Sequence, residues 1–565
     1  MKKNWAKKIC EQMTVEQKVG QLFMVSFFTW DLQELHLLRN KLREYFIGGV
    51  FHYTAHHQEM ADFFSVLQAE AHVPLLVSSD FEMGAGWIIK EGVVFQRPMA
   101  RGYFGTPDLE YTIAKIIAQQ GRSAGANMSF SPVVDVNTNP LCPDVNTRAY
   151  SDNAEKVTEL AAGFVRGMQD NNMLATLKHF PGNGETIMDQ HIGPAIIDVS
   201  KRNMHAVFLK PYKELIKTCD PAAVMVAHLE VPSLCSEIHP KTKRTVPASV
   251  SKEIITDLLK KNMKFKGIVI TDATNMGGIN NLYSREEAAV KTIQAGSDMI
   301  LDFYSDFERD YNAVLSAVLH NKISEERLND AVMRVLTAKM KLNLHIDAGM
   351  PWDKNKREAL FDKKEYEPLL QRISQKSITL LQNHEGIIPI KHDLTNKNVA
   401  VYSVFSPEKK VLQSQNSKVT PDVFTTELRN TGANVTEIDI VSDLSMDAIT
   451  EIVHNAHTFD YIFLNFFIVP SFAIGTLMPN YNAMRLFFRG LLQENRNVII
   501  HCFGDPYIVQ HFASAPTIIC CFDESEMSQK TALQAVLGKI PFSGKMPVNL
   551  PHIFSAGDGI ETPEQ

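Results

Sequence analysis

Cysteine is sparse: seven in 565 residues, an odd count, with no Cys-x-x-Cys pair. A disulfide framework and a structural zinc site are therefore disfavoured, and a reducing compartment is expected. The basic opening Met1-Lys2-Lys3-Asn4-Trp5-Ala6-Lys7-Lys8 has no apolar stretch behind it, so it does not read as a secretory signal. No uncharged apolar run reaches about 18 residues, so no membrane span is expected. A cytoplasmic location is the expectation. Positive charge is not in excess either. The formal net charge is −7, whereas nucleic acid and anionic membranes need a basic face. Neither is expected as a partner. Gly-x-Gly-x-x-Gly is missing, which removes the usual phosphate turn of an open doubly wound sheet. The chain has no low-complexity segment.

What is present is a rhythm. One core stops growing near roughly 250–300 residues, so a chain of this length needs at least two domains. Over the first part, short apolar strands at 21–25, 49–52, 74–78, 129–136, 174–177, 222–227, 267–270 and 298–301 alternate with helical stretches. The helices show 3.6-residue apolar spacing, as at 109–120, 154–169 and 252–261. Eight strands alternating with helices predict a (β/α)8 TIM-like barrel. A polar connector follows at about 347–367, and then a second α/β unit with strands at 399–404, 461–466, 497–502 and 517–521. The predicted domains are a catalytic barrel at 1–346, a linker at 347–370 and a C-terminal αβα sandwich at 371–565.

A barrel puts its chemistry just past the C-termini of its strands. Polar residues stand there: Asp80, Asp135, Lys178 with His179, His228, Asp272 and Asp302. The richest stretch is Lys178-His179-Phe180-Pro181-Gly182-Asn183-Gly184-Glu185-Thr186-Ile187-Met188-Asp189-Gln190-His191. Its two glycines make the turn permissive. In Asp189-x-His191 a carboxylate can orient an imidazole and stabilise its protonated form. The bland alternative is a loop tie. His179, Asp189 and His191 could also be a 2-His-1-carboxylate metal set, but Lys178 would put a competing cation there. No metal and no cofactor are expected. In Gly267-Ile268-Val269-Ile270-Thr271-Asp272-Ala273-Thr274-Asn275-Met276-Gly277-Gly278, a buried strand delivers one carboxylate towards small residues. That suits a glycosidase nucleophile, although a helix cap would read the same way alone.

These motifs together resemble glycoside hydrolase family 3, in its β-N-acetylglucosaminidase branch. Met13-Thr14-Val15-Glu16-Gln17-Lys18-Val19-Gly20-Gln21-Leu22 looks like the family's opening helix. Pro132-Val133-Val134-Asp135-Val136-Asn137 and Asn146-Thr147-Arg148-Ala149-Tyr150 look like its fourth-strand region. Lys178-His179-Phe180-Pro181-Gly182 is similar to its most specific motif. The second domain resembles it through Lys376-Ser377-Ile378-Thr379-Leu380-Leu381, Phe503-Gly504-Asp505-Pro506-Tyr507 and Ser543-Gly544-Lys545-Met546-Pro547-Val548.

The resemblance implies a retaining exo-β-N-acetylglucosaminidase acting on a small saccharide. Asp272 matches the nucleophile, and Asp189 with His191 match a mobile acid/base dyad. Asp80, Arg148, Lys178 and His179 match positions that hold the terminal sugar's hydroxyls. Cytoplasmic members of this branch resemble cell-wall recyclers acting on muropeptide fragments. Two departures stand out. Asn183 replaces a common histidine, and Asp80-Phe81-Glu82-Met83-Gly84-Ala85-Gly86 lacks the family's arginine. Three rivals are a phosphorylase of the same branch, a β-glucosidase and a non-catalytic sugar binder. β-Glucosidases of the family typically carry Trp after the nucleophile, where this chain has Ala273, and take their acid/base from the second domain. There Glu524 is the acid to watch.

Overall fold

The structure, a computed structural model, describes residues 2–304, 306–347, 354–405, 422–440, 444–469 and 481–563. Two compact units emerge. The first comprises Met1–Val94, Thr106–Cys142 and Asn153–Lys363. The second comprises Phe95–Gly105, Pro143–Asp152 and Lys364–Gln565.

The first unit is built on eight strands: β1 (Phe23–Phe27), β2 (Gly49–His52), β3 (Leu76–Ser79), β4 (Met128–Ser129), β5 (Leu174–Phe180), β6 (Ala223–Val226), β7 (Ile268–Ala273) and β8 (Met299–Asp302). Each pairs in parallel with its chain neighbours, and β8 closes onto β1, giving a barrel in sequence order. The strands read as near-continuous apolar runs because both faces are covered. Met24, Leu76, Met128, Leu174, Met225, Ile268, Ile270 and Met299 belong to one buried cluster inside the ring, so the barrel is a packed core. The helices wrap the outside with one apolar face. In α1 (Ala154–Asp170) the buried stripe includes Val157, Leu160, Ala161, Phe164, Val165 and Met168. Asn153 starts that helix by accepting from the Lys156 amide at 3.0 Å, satisfying a donor the first turn leaves orphaned.

The sequence expects a long fourth strand at 129–136. The observed β4 has only two residues. Pro132, reached through a cis Ser131-Pro132 bond, has no N–H for the ladder. Contact with β5 continues through acceptors, with the Lys178 amide donating to Pro132 O at 3.3 Å, and the Val134 amide then donates to Lys178 O at 2.8 Å. The stretch expected as helix at 252–261 is helical from Glu253 to Asn262, but wound as a π-helix.

In the predicted connector, residues 348–353 lie outside the described residues. Helix Lys354–Ala359 follows them, and helix Glu367–Ser377 leads into the next sheet.

The second unit carries a six-stranded sheet of β9 (Thr379–Asn383), β10 (Asn398–Phe405), β11 (Asn434–Ile440), β12 (Tyr461–Phe467), β13 (Val498–Cys502) and β14 (Thr517–Cys520), in the order β9-β14-β13-β12-β10-β11. All pairings are parallel except β9 with β14. Alternate residues of β10 enter separate cores: Ala400, Tyr402 and Val404 on one face, Val399, Val401 and Phe405 on the other. An αβα sandwich follows. No helix among the described residues is long and apolar enough to cross a membrane.

Candidate active site

The C-terminal ends of the barrel strands form the site. Asp80 follows β3, Lys178 and His179 lie at the end of β5, His228 follows β6, and Asp272 lies at the end of β7. Three hydrogen-bonded groups organise them.

In the first, the Lys178 ammonium is buried and lies 2.6 Å from Asp80 Oδ1 and 2.6 Å from Glu82 Oε1. Two carboxylates around one ammonium offset the cost of burying it. Asp80 stays more than a third exposed on its side chain, at 36%, so it presents an acceptor to the opening. Tyr53, past the end of β2, has its phenol pKa raised, first by burial and then by Asp80.

The second centres on Asp135, fully buried. It accepts from His179 Nδ1 at 2.7 Å, from the His179 amide at 3.0 Å and from the Asn183 amide at 2.7 Å. A carboxylate at Nδ1 fixes the ring's orientation and places its proton there. The Asn183 side chain turns back into its own loop, accepting from the Gly184 amide at 2.7 Å and the Thr186 hydroxyl at 3.0 Å. An amide performs that loop role, so the departure at 183 has a structural account. Gly184 has φ +110°, and a Cβ there would lie 2.1 Å from Val136 O. The glycine is required by packing as well as by the turn.

The third joins the loop after β5 to the end of β7. His191 Nδ1 donates to Asp189 Oδ1 at 2.5 Å, and the His191 amide donates to the same oxygen at 2.8 Å. Nε2 is thereby the atom aimed away from the carboxylate. Between the two, Gln190 turns inward and is buried. Its Nε2 donates to Asp272 Oδ2 at 3.2 Å, and its Oε1 accepts from the His228 amide at 2.9 Å. The loop docks on the turn after β7: the Gly277 amide donates to His191 O at 2.9 Å and the Gly278 amide to Gln190 O at 2.8 Å. A Cβ at Gly277 would lie 2.0 Å from Ile192 O, so only glycine permits that approach. Asp272 is buried and its Oδ1 also accepts from the Ala273 amide at 2.9 Å. His228 braces the strand end. Burial lowers its imidazole pKa, favouring the neutral ring. Nε2 then donates to Ala273 O at 3.1 Å, and Nδ1 accepts from the Ser249 hydroxyl at 2.7 Å.

Aromatic side chains occupy the other arc of the rim. Phe28, past β1, stacks on Tyr53 at 5.2 Å, and Phe303, past β8, meets Phe28 at 6.4 Å. At the end of β8, Asp302 is fully buried and burial pushes its carboxyl pKa up to about 7, with Asp310 nearby adding to the rise.

Six of the seven expected site residues, Asp80, Lys178, His179, Asp189, His191 and Asp272, belong to the barrel unit. Arg148 belongs to the second unit, where its Nη1 pairs with Asp144 Oδ1 at 2.8 Å. Glu524, also in that unit, receives a two-pronged contact from Arg97, Nε to Oε2 at 2.7 Å and Nη2 to Oε1 at 2.5 Å. Both its oxygens are occupied. Sequence reasoning passed over Glu82, Gln190 and Ser249 as contributors. Glu82 stands two residues from Asp80, and Gln190 between the dyad partners, so adjacency to the motifs was the available signal.

Residues 14–338 match the model described as the glycosyl hydrolase family 3 N terminal domain. A beta-N-acetylglucosaminidase/beta-glucosidase from Cellulomonas fimi is 28% identical over 555 residues, spanning 96% of this chain and 95% of the relative. Among solved structures, a family 3 beta-N-acetylglucosaminidase from Paenibacillus sp. str. FPU-7 superimposes with TM-score 0.78 at 27% identity, covering 95% of this chain and 99% of the other. A beta-glucoside phosphorylase gives TM-score 0.86 at 23% identity, with 97% of each chain covered, a likeness of fold.

Proposed function

Because the chain belongs to glycosyl hydrolase family 3, we propose that this glycoside hydrolase is a retaining exo-β-N-acetylglucosaminidase, with Asp272 as nucleophile and His191, steadied by Asp189, as acid and base. The observation that carries the reading is the 2.5 Å Asp189–His191 pair on a loop whose middle residue touches Asp272. The proton-handling group and the candidate nucleophile are thus joined through one side chain. The engagement of Glu524 by Arg97 further supports an acid/base drawn from the barrel.

The Asp272 carboxylate attacks the anomeric carbon, and the bond from that carbon to the leaving oxygen breaks. The proton on His191 Nε2 passes to that oxygen, leaving a glycosyl ester on Asp272 and a neutral imidazole. Water then attacks the anomeric carbon and gives its proton to His191 Nε2, and the ester bond breaks. Two inversions return the β configuration. Asp189 lowers the cost of the imidazolium in both steps. Asp80, Lys178 and His179 hold the hydroxyls of the terminal sugar. The relative from Cellulomonas fimi is named for N-acetylglucosaminides and glucosides, and the Paenibacillus protein for the former. Muropeptide fragments are the proposed natural substrate class, handled in the cytoplasm.

The test compares nitrophenyl β-N-acetylglucosaminide with the glucoside, with and without phosphate. Faster cleavage of the first, giving free N-acetylglucosamine at a rate indifferent to phosphate, is expected. A strong preference for the glucoside, or a sugar 1-phosphate product, would sink the assignment. Release from a muropeptide disaccharide exceeding that from chitobiose is the expected result for the natural substrate.

A further inference from the structure

We propose that Gln190 is a positioning residue for Asp272, its side-chain amide fixing the angle of the nucleophile's carboxylate whenever the acid/base loop is docked. This rests on the reading of Asp272 as nucleophile.

Gln190 is only 1% exposed although it belongs to a loop. Burying an amide is unfavourable unless its donors and acceptor are met. Here the contacts also settle which way the amide faces. The His228 amide can only donate, so the atom 2.9 Å from it must be Oε1. The NH₂ group therefore faces Asp272 Oδ2, at 3.2 Å. The other Asp272 oxygen is held by the Ala273 amide at 2.9 Å. Both oxygens are thus fixed, one by β7 itself and one by the loop. His228, which anchors the far side of Gln190, is in turn tied to Ala273 O and Ser249. The loop cannot carry His191 away without withdrawing a donor from the nucleophile, so the two reacting groups become competent together.

The test isolates attack by Asp272 from proton delivery by His191. A 5-fluoro N-acetylglucosaminyl fluoride traps a nucleophile by forming the C1–O bond to Asp272 while fluoride departs with the C1–F electron pair, needing little help from an acid. The trapped ester is read by intact-protein mass. Gln190→Met keeps the bulk and loses both contacts. Gln190→Glu keeps the acceptor facing the His228 amide but sets a second carboxyl against Asp272, and unchanged thermal melting with retained N-acetylglucosamine binding shows that a variant has folded. Both are expected to be trapped roughly 10²-fold more slowly, with the dissociation constant for N-acetylglucosamine unchanged. His191→Asn, by contrast, is expected to be trapped close to the wild-type rate. If the wild type and both Gln190 variants are trapped equally fast, Gln190 has no positioning role. Loss of N-acetylglucosamine binding along with trapping would make the role merely structural and overturn the proposal. If the wild-type protein is never trapped, the nucleophile reading falls first and this inference with it.

Discussion

Lys178 and Lys339 are both buried in the barrel unit, one at the end of β5, the other beside Gln21 just ahead of β1. Lys178 has carboxylates of Asp80 and Glu82 at 2.6 Å each. Lys339 Nζ donates to the Gln21 amide oxygen at 2.7 Å. For Lys339, burial alone lowers the pKa to about 7. The same side chain is therefore ion-paired at the mouth of the barrel and held by an uncharged amide at its base. Burial is common to both; the partners differ, and the charged ones stand at the strand ends that carry the proposed sugar site.

Breaking the pairing at the mouth has the largest expected effect. In Lys178→Met the buried Glu82 carboxylate loses the Lys178 ammonium at 2.6 Å, and breaking a buried ion pair from one side costs about 3–5 kcal/mol. The more exposed Asp80 adds little to that loss. Thermal denaturation should show a clear drop in Tm, and nitrophenyl β-N-acetylglucosaminide turnover should fall by at least about 10²-fold through lost sugar positioning. An unchanged Tm would mean that Glu82 finds another partner.

At the base the sign reverses. Unfolded, Lys339 holds its proton to its ordinary pKa of 10.5, while folded it releases it near 7. The unfolded state thus binds more protons between those values, and stability rises with pH there, by at most about 1.4 kcal/mol per unit. The penalty is full below about pH 7 and fades towards pH 10. Lys339→Met should gain stability at pH 7 and lose that slope. Denaturant titrations of both proteins at several pH values measure it, and parallel curves would refute the account.

Asp302 sharpens the comparison with the opposite slope. Its folded pKa is raised from 3.8 to about 7, so the folded state binds more protons between those values. Stability should fall as pH rises through that window. Asp302→Asn should flatten the fall, a smaller effect because Asp310 shares the site.

The smallest effect is expected in the second unit. Glu524→Gln weakens the contact with Arg97 but should leave kcat/KM within about tenfold of wild type, since losing a true general acid costs about 10²–10⁴. A collapse restricted to poor leaving groups would move the acid/base role to Glu524.

The barrel was legible in the sequence because its strands are buried on both faces and read as apolar runs ending in Asp80, Lys178, Asp272 and Asp302. The second sheet was only partly legible. β11 alternates polar and apolar residues only in its second half, Glu437-Ile438-Asp439-Ile440, and its start is polar because it lies exposed at the sheet edge. β9 coincides with the end of the Lys376–Leu381 motif and runs antiparallel at the other edge. The dyad was visible as Asp-x-His. The inward turn of Gln190 was not, since it depends on Gly277 and Gly278, far along the chain, accepting the loop's backbone. Glu82 was visible as a letter but not as the second counterion of Lys178.

The segments Phe95–Gly105 and Pro143–Asp152 are made early but belong to the second unit. Arg97 meets Glu524 across 427 residues of chain, and Ser151 donates to Pro547 O across 396. At about 5–20 residues per second, a ribosome needs on the order of 20–90 s to synthesise that interval. Through that time both segments wait, already translated, for partners not yet made. The second unit therefore cannot form as an autonomous late module, and a chain released early at residue 363 would carry two unfinished seams.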